Sequence, residues 1–124
     1  MKIWKFKVPF LLSFPLFFLL GLAIPAHAAS PLADTIKSGD RQGAMALIRA
    51  GADVNEPQND GTTALHWAVY QVDPELVETL LRNEAGANVS NAFGATPLSQ
   101  AARVANVDMV ARLLDAGADP DMAN

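Results

Sequence analysis

The sequence predicts an all-α solenoid of stacked helix-turn-helix units, and three observations carry that expectation. Thr63-Ala64-Leu65-His66 returns as Thr96-Pro97-Leu98-Ser99, and Gly61 and Gly94 precede the two copies at the same spacing. A second block recurs as Gly51-Ala52-Asp53-Val54-Asn55, Gly86-Ala87-Asn88-Val89-Ser90 and Gly117-Ala118-Asp119-Pro120-Asp121. Between the blocks, apolar residues such as Val107, Val110, Leu113 and Leu114 fall at helical spacing, the pattern of a helix that buries one face. Self-similarity at a period of about 20 to 50 residues marks a stacked repeat architecture.

The first segment is set apart from that array. Lys2, Lys5 and Lys7 precede a largely apolar stretch from Val8 to Ile24, interrupted by Pro15 and Gly21, and Ala26-His27-Ala28 then supplies an A-x-A cleavage pattern. Residues 1–28 are therefore expected to be a signal peptide, with the mature domain spanning residues 29–124. A membrane-spanning helix needs roughly 20 apolar residues, more than this stretch supplies, so a retained anchor is the weaker reading. No stable membrane insertion is expected after cleavage. The predicted destination is the periplasm or the exterior of the cell.

All 13 acidic residues but only 6 of the 9 basic ones follow Ala28, which leaves the mature chain a net charge of −7. A nucleic-acid partner is excluded on that ground, because phosphate contacts require a basic face. The chain contains no cysteine, so neither disulfides nor a lipidated cysteine can contribute, and packing alone must stabilise the domain.

Within the array, three units are expected at residues 30–59, 60–92 and 93–124. Ser30-Pro31-Leu32 opens the first, where the later units have Thr-Ala-Leu and Thr-Pro-Leu. Thr96 can cap a helix, and Pro97 suits the first turn, where its missing N–H costs nothing. Asp40, Asp73 and Asn106 are placed to cap the second helix of each unit. Gly51, Gly86 and Gly117 are expected to supply the left-handed residue that ends it. On this register the second unit carries two extra residues, Asn83 and Glu84, which are expected to lengthen its second helix.

These motifs resemble the ankyrin repeat, whose T-P-L-H-x-A opening and G-A-D-V-N close are carried by Thr63 to Ala68 and by Gly51 to Asn55. The resemblance covers nearly all of residues 30–124 and implies an ankyrin-repeat solenoid with β-hairpin loops and a concave, protein-binding side. It also implies that His66 bonds to the threonine of its own motif and to neighbouring backbone. The concave positions it indicates are Tyr70 and Gln71 at the end of a first helix, the loop residues Asn59, Asp60 and Thr62, and Ala92, Phe93, Ala95, Arg103 and Val104 in the third unit. Trp67 is expected to pack between units.

Catalytic constellations are hard to assemble from the remaining residues. His66 is the single histidine after Ala28, so zinc, which takes three or four ligands, has no candidate set, and no cofactor is expected. Ser90 and Ser99 have no histidine at a plausible distance to form a nucleophilic triad. Asp53 and Asp119 fall in turns that short acidic side chains favour. The expected function is therefore non-enzymatic: an exported scaffold that binds another protein through Tyr70, Gln71, Phe93, Arg103, Asp60 and Thr62. The alternative is a targeting or regulatory module of a larger exported enzyme, with its catalytic part beyond Asn124. The third unit keeps the apolar pattern of an internal one, so its outer face is expected to be uncapped and prone to self-association.

Overall fold

A computed structural model describes residues 30–122; the expected signal peptide, residues 1–28, lies outside them. Six helices follow in order: α1 (Pro31–Lys37), α2 (Arg41–Arg49), α3 (Ala64–Tyr70), α4 (Pro74–Arg82), α5 (Pro97–Arg103) and α6 (Val107–Asp115), with a 3-10 turn at Pro120–Met122. They form three pairs. The first helices α1, α3 and α5 stack directly on one another, and each packs on its own second helix.

The capping residues work as their chemistry requires. Asp40 accepts the Gly43 N–H, Asp73 the Leu76 N–H and Asn106 the Met109 N–H, at 2.9, 3.0 and 2.9 Å. Each satisfies an amide that the first helical turn leaves unpaired. Thr96 accepts from the Ser99 N–H while the Ser99 hydroxyl accepts from the Thr96 N–H, and Pro97 takes the first helical position. Burial follows the helical stripe: Leu65, Ala68 and Val69 on α3 meet Leu76, Val77 and Leu80 on α4, and α1 contributes Leu32 and Ile36 to the same core.

One expectation is corrected. The second repeat has no insertion: α4 has nine residues, as do α2 and α6, and it ends at Arg82. The left-handed residue after it is Glu84, with φ of 65°, where the flanking units have Gly51 and Gly117 at φ of 91° and 94°. Glu84 lies midway between these two glycines in the sequence, one full period from each, so the repeat is unbroken. The true counterpart of Asn55 is Asn88. Asn55 donates to the Glu84 carbonyl and accepts from the Gly86 N–H, and Asn88 makes the same pair of bonds to Gly117 and Asp119. Reading Gly86 as the helix-ending glycine followed the look of the Gly-Ala dipeptide and missed these side-chain bonds, which fix the register.

The loops between units are tight hairpin-like turns. Gln58 donates its N–H to the Thr62 carbonyl and Asn91 does the same to Ala95, at 2.8 and 3.0 Å, while the Ala92 N–H reaches across to the Asp60 carbonyl at 2.8 Å. No strand forms among the described residues, so the hairpins are shorter than a β-ladder. At Gly61, a Cβ would lie 3.2 Å from the Asn91 Cα; glycine permits both the positive φ and this approach of adjacent loops.

Candidate protein-binding surface

α3 and the two loops beside it bring an aromatic cluster to one side of the stack. The Trp67 and Tyr70 rings meet edge to face with centroids 5.7 Å apart, the arrangement favoured by ring quadrupoles. Trp67 is half-buried against the core, as expected, and its indole N–H donates to Gln58 at 2.7 Å. Lys37 from the preceding repeat sits 5.3 Å above its ring. That contact fixes the flank of the cluster and leaves Tyr70 projecting.

The two largest projecting rings are Phe93 and Tyr70, at 80 % and 56 % exposure. Phe93 does not fold back onto its loop; its N–H donates to the Asn91 side chain at 3.0 Å, which holds the loop while the ring points away from the core. Tyr70 and Phe93 line an open cleft of about 300 Å³ together with Thr62, His66, Trp67, Asn91 and Gln100. Arg103, also exposed, lies on the other side of Phe93, along a second depression on the outer face of the third repeat. Tyr70, Phe93 and Arg103 thus line two neighbouring clefts that share Phe93.

Thr62, Gln71 and Asp60 are each held by hydrogen bonds. Thr62 is only 6 % exposed, and its hydroxyl lies 3.2 Å from the Asn91 amide nitrogen, so it joins adjacent loops. Gln71 donates to the Ile36 carbonyl at 2.6 Å, tying the second repeat to the end of α1. Asp60 is half-buried and accepts the Thr62 N–H at 2.9 Å, and that bond holds its carboxyl below the usual carboxylate range. Each of the three thus makes a hydrogen bond that holds the loops or repeats together, while Thr62 also lines the cleft and Gln71 stays exposed. Gln58 and Asn91 carry polar roles here that the sequence analysis did not single out; they stand one repeat period apart, each three residues before a glycine, and that was the available signal.

His66 lines the cleft without being free to react. Its Nδ1 accepts the Thr63 N–H at 3.1 Å, so the ring proton sits on Nε2, which donates to the Ala95 carbonyl at 2.9 Å in the next unit. Burial pushes its pKa below the ordinary value. Among the described residues no cluster of three or more potential metal-ligating side chains occurs, and no helix is long and apolar enough to cross a membrane.

Comparison with known proteins accords with this geometry. Residues 32–124 match the family model for ankyrin repeats in three copies. Similar curated proteins include the Palmitoyltransferase Hip14 of Drosophila melanogaster, 39 % identical over 77 residues, which is 60 % of this chain and 12 % of that protein. The Serine/threonine-protein kinase 12 of Arabidopsis thaliana is 36 % identical over 85 residues, 68 % of this chain and 18 % of the kinase. The human Neurogenic locus notch homolog protein 4 is 40 % identical over 77 residues, 61 % of this chain and 4 % of that protein. The chain thus spans less than a fifth of the length of these relatives. With the repeat register, the capped helix pairs and the match over residues 32–124 in agreement, the chain belongs to the ankyrin-repeat family, whose stacked units serve as protein-binding scaffolds.

Proposed function

We propose that this chain is an exported, non-enzymatic scaffold that binds another protein through the aromatic side of its repeat stack. The observation that carries the reading is the exposure of Phe93 and Tyr70 on a cleft whose lining is locked by hydrogen bonds. Large rings held by a rigid framework contribute contact area at small entropic cost, and such residues concentrate at the energetic centres of interfaces. Arg103 extends the surface with a planar donor fork suited to carboxylates. Export rests on the basic, apolar and A-x-A order of residues 1–28.

Capture of partners on the processed chain, followed by affinity measurements with Tyr70→Ala and Phe93→Ala, tests the surface; unchanged affinity in both variants rejects it. Intact-mass analysis of the exported protein is expected to show an N-terminus at Ala29. Retention of residues 1–28 in a membrane fraction would replace the released form with an anchored one.

A second reading, a targeting or regulatory module of a larger exported enzyme, is favoured by one observation. The matched palmitoyltransferase and kinase are themselves far longer than this region. Catalytic activity that co-purifies covalently with residues 29–124 would favour it over the free scaffold.

A further inference from the structure

We propose that Val72, in the turn between α3 and α4, is a further contact residue of the partner-binding surface, kept in strained backbone because it presents its side chain to an uncharged, apolar side chain of the partner protein. This contact rests on the protein-binding reading above and extends that surface from Tyr70 onto the turn.

The first helices of the three repeats end in one motif. In each, the residue two places after the helix is left-handed, and it and its successor return their N–H groups to the last helical turn. That residue is Gly39 in the first repeat, Val72 in the second and Ala105 in the third, the last two with φ of 55°. The bonds they make are alike: Gly39 donates to the Ile36 carbonyl at 2.9 Å, Val72 to Val69 at 3.0 Å and Ala105 to Ala102 at 3.0 Å. Glycine thus closes this turn with the same hydrogen bonds and without strain. A β-branched residue is the least tolerant of left-handed backbone, so the geometry of the turn does not account for a valine there.

The core does not account for it either. Val72 is 42 % exposed and lies outside the core cluster, whereas Val69, three residues earlier, is fully buried within it. The first helices of the first and third repeats are both stacked on α3, so this exposure holds with a neighbour on each side. Tyr70 ends α3 two residues earlier, is 56 % exposed and lines the aromatic cleft. The chain therefore carries the exposed apolar surface from the cleft directly onto the turn.

The polar neighbours of Val72 indicate what covers it. Gln71 donates to the Ile36 carbonyl at 2.6 Å. Asp73 accepts the Leu76 N–H at 3.0 Å and pairs with Arg41 at 2.8 Å, and Arg41 also holds Glu75 at 2.6 Å. Both carboxylates beside the turn are thus already bridged by one guanidinium from the first repeat. A charged group of the partner pressed against Val72 would be desolvated without a counter-charge of its own. An apolar side chain meets no such penalty and gains by covering Val72 and Tyr70 together.

The full chain, expressed with its N-terminal segment so that any processing occurs, is used to select binders from a random linear peptide library displayed on phage. Synthetic copies of the enriched peptides are the probes, and their affinities are measured for each variant alongside its urea midpoint. Val72→Gly should weaken binding by about tenfold, the loss expected when one covered valine side chain is removed, while raising the urea midpoint. Val72→Thr keeps the β-branch and the shape but adds a hydroxyl, so it should also weaken binding with little change in midpoint. A purely structural role would move midpoint and affinity in the same direction. Unchanged affinity in Val72→Gly overturns the proposal, as does a lowered midpoint in that variant or full affinity in Val72→Thr. A library that yields no binder overturns it as well. Peptides that lose affinity with Tyr70→Ala and Phe93→Ala but not with Val72→Gly remove the turn contact and leave the cleft reading standing; peptides insensitive to all three remove both.

Discussion

His66 Nε2 lies 2.9 Å from the carbonyl of Ala95 in the next repeat, while Nδ1 of the same ring accepts the Thr63 N–H. One imidazole therefore caps its own helix and holds the following loop; the bond accepted at Nδ1 requires the neutral ring, whereas the Nε2–H donates to the Ala95 carbonyl in either protonation state.

His66→Ala should lower stability by about 1 to 3 kcal/mol, the cost of leaving buried partners unpaired. A pH dependence follows from the depressed pKa. The unfolded chain binds a proton near the ordinary value of 6.5, and the folded chain resists it to lower pH. The contribution is thus complete above about 6.5 and is lost as pH falls through the lower folded-state value. Thermal melts between neutral and mildly acidic pH should show this decline in the wild type and a smaller one in His66→Ala. Equal slopes would mean that His66 is not the group responsible.

Asn55 and Asn88 each bridge two backbone groups of the next unit. Alanine at either should destabilise by roughly 1 to 2 kcal/mol, for two hydrogen bonds at partly solvated sites. Asn88→Asp keeps the acceptor for Asp119 but loses the donor to Gly117, so its loss should be intermediate in urea denaturation. A neutral Asn55→Ala would imply that water replaces these bonds at no cost.

Glu84 and Val72 occupy left-handed backbone with φ of 65° and 55°, at positions where neighbouring repeats carry Gly51, Gly117 and Gly39. A left-handed conformation costs an L-residue about 1 to 2 kcal/mol, and a β-branched side chain is the least tolerant. Glycine returns part of this gain through greater unfolded-chain entropy. Val72→Gly should therefore raise stability by about 0.5 to 1 kcal/mol, visible as a higher urea midpoint at unchanged slope. A lower midpoint would show that the exposed Val72 side chain contributes packing that outweighs the strain.

For the binding surface, alanine at Tyr70 or Phe93 should weaken partner affinity by about 1 to 3 kcal/mol with little change in melting temperature. Both rings project from the core, so folding should not depend on them. Glu78 and Arg112 are unsuitable neutral controls, because they form a 2.8 Å ion pair between α4 and α6. Arg49, exposed in the first repeat, serves instead, and Arg49→Ala should leave binding unchanged. Loss of binding in Arg49→Ala with full affinity in Tyr70→Ala and Phe93→Ala would move the interface to the first repeat.

Much of this protein was legible in its sequence, because the determinants are local and periodic. Asp40, Asp73 and Asn106 start helices through bonds to amides within a few residues, and Pro31 and Pro97 through a ring that presets the first turn, so their spacing alone located the helix pairs. The bond of His66 to its own threonine was implied by the family resemblance, and the structure places it within one turn of helix. Only the tertiary structure decided what depends on contacts between units. It assigned the left-handed role to Glu84 instead of Gly86, because Asn55 reaches across to the next repeat to fix that register. It showed that Thr62 and Gln71 each bond to a neighbouring repeat, a pairing that neither residue's place in its own unit reveals. It buried Val69 and Val77, because burial in a stack depends on what the adjoining elements place against a residue and not only on its position in its own helix.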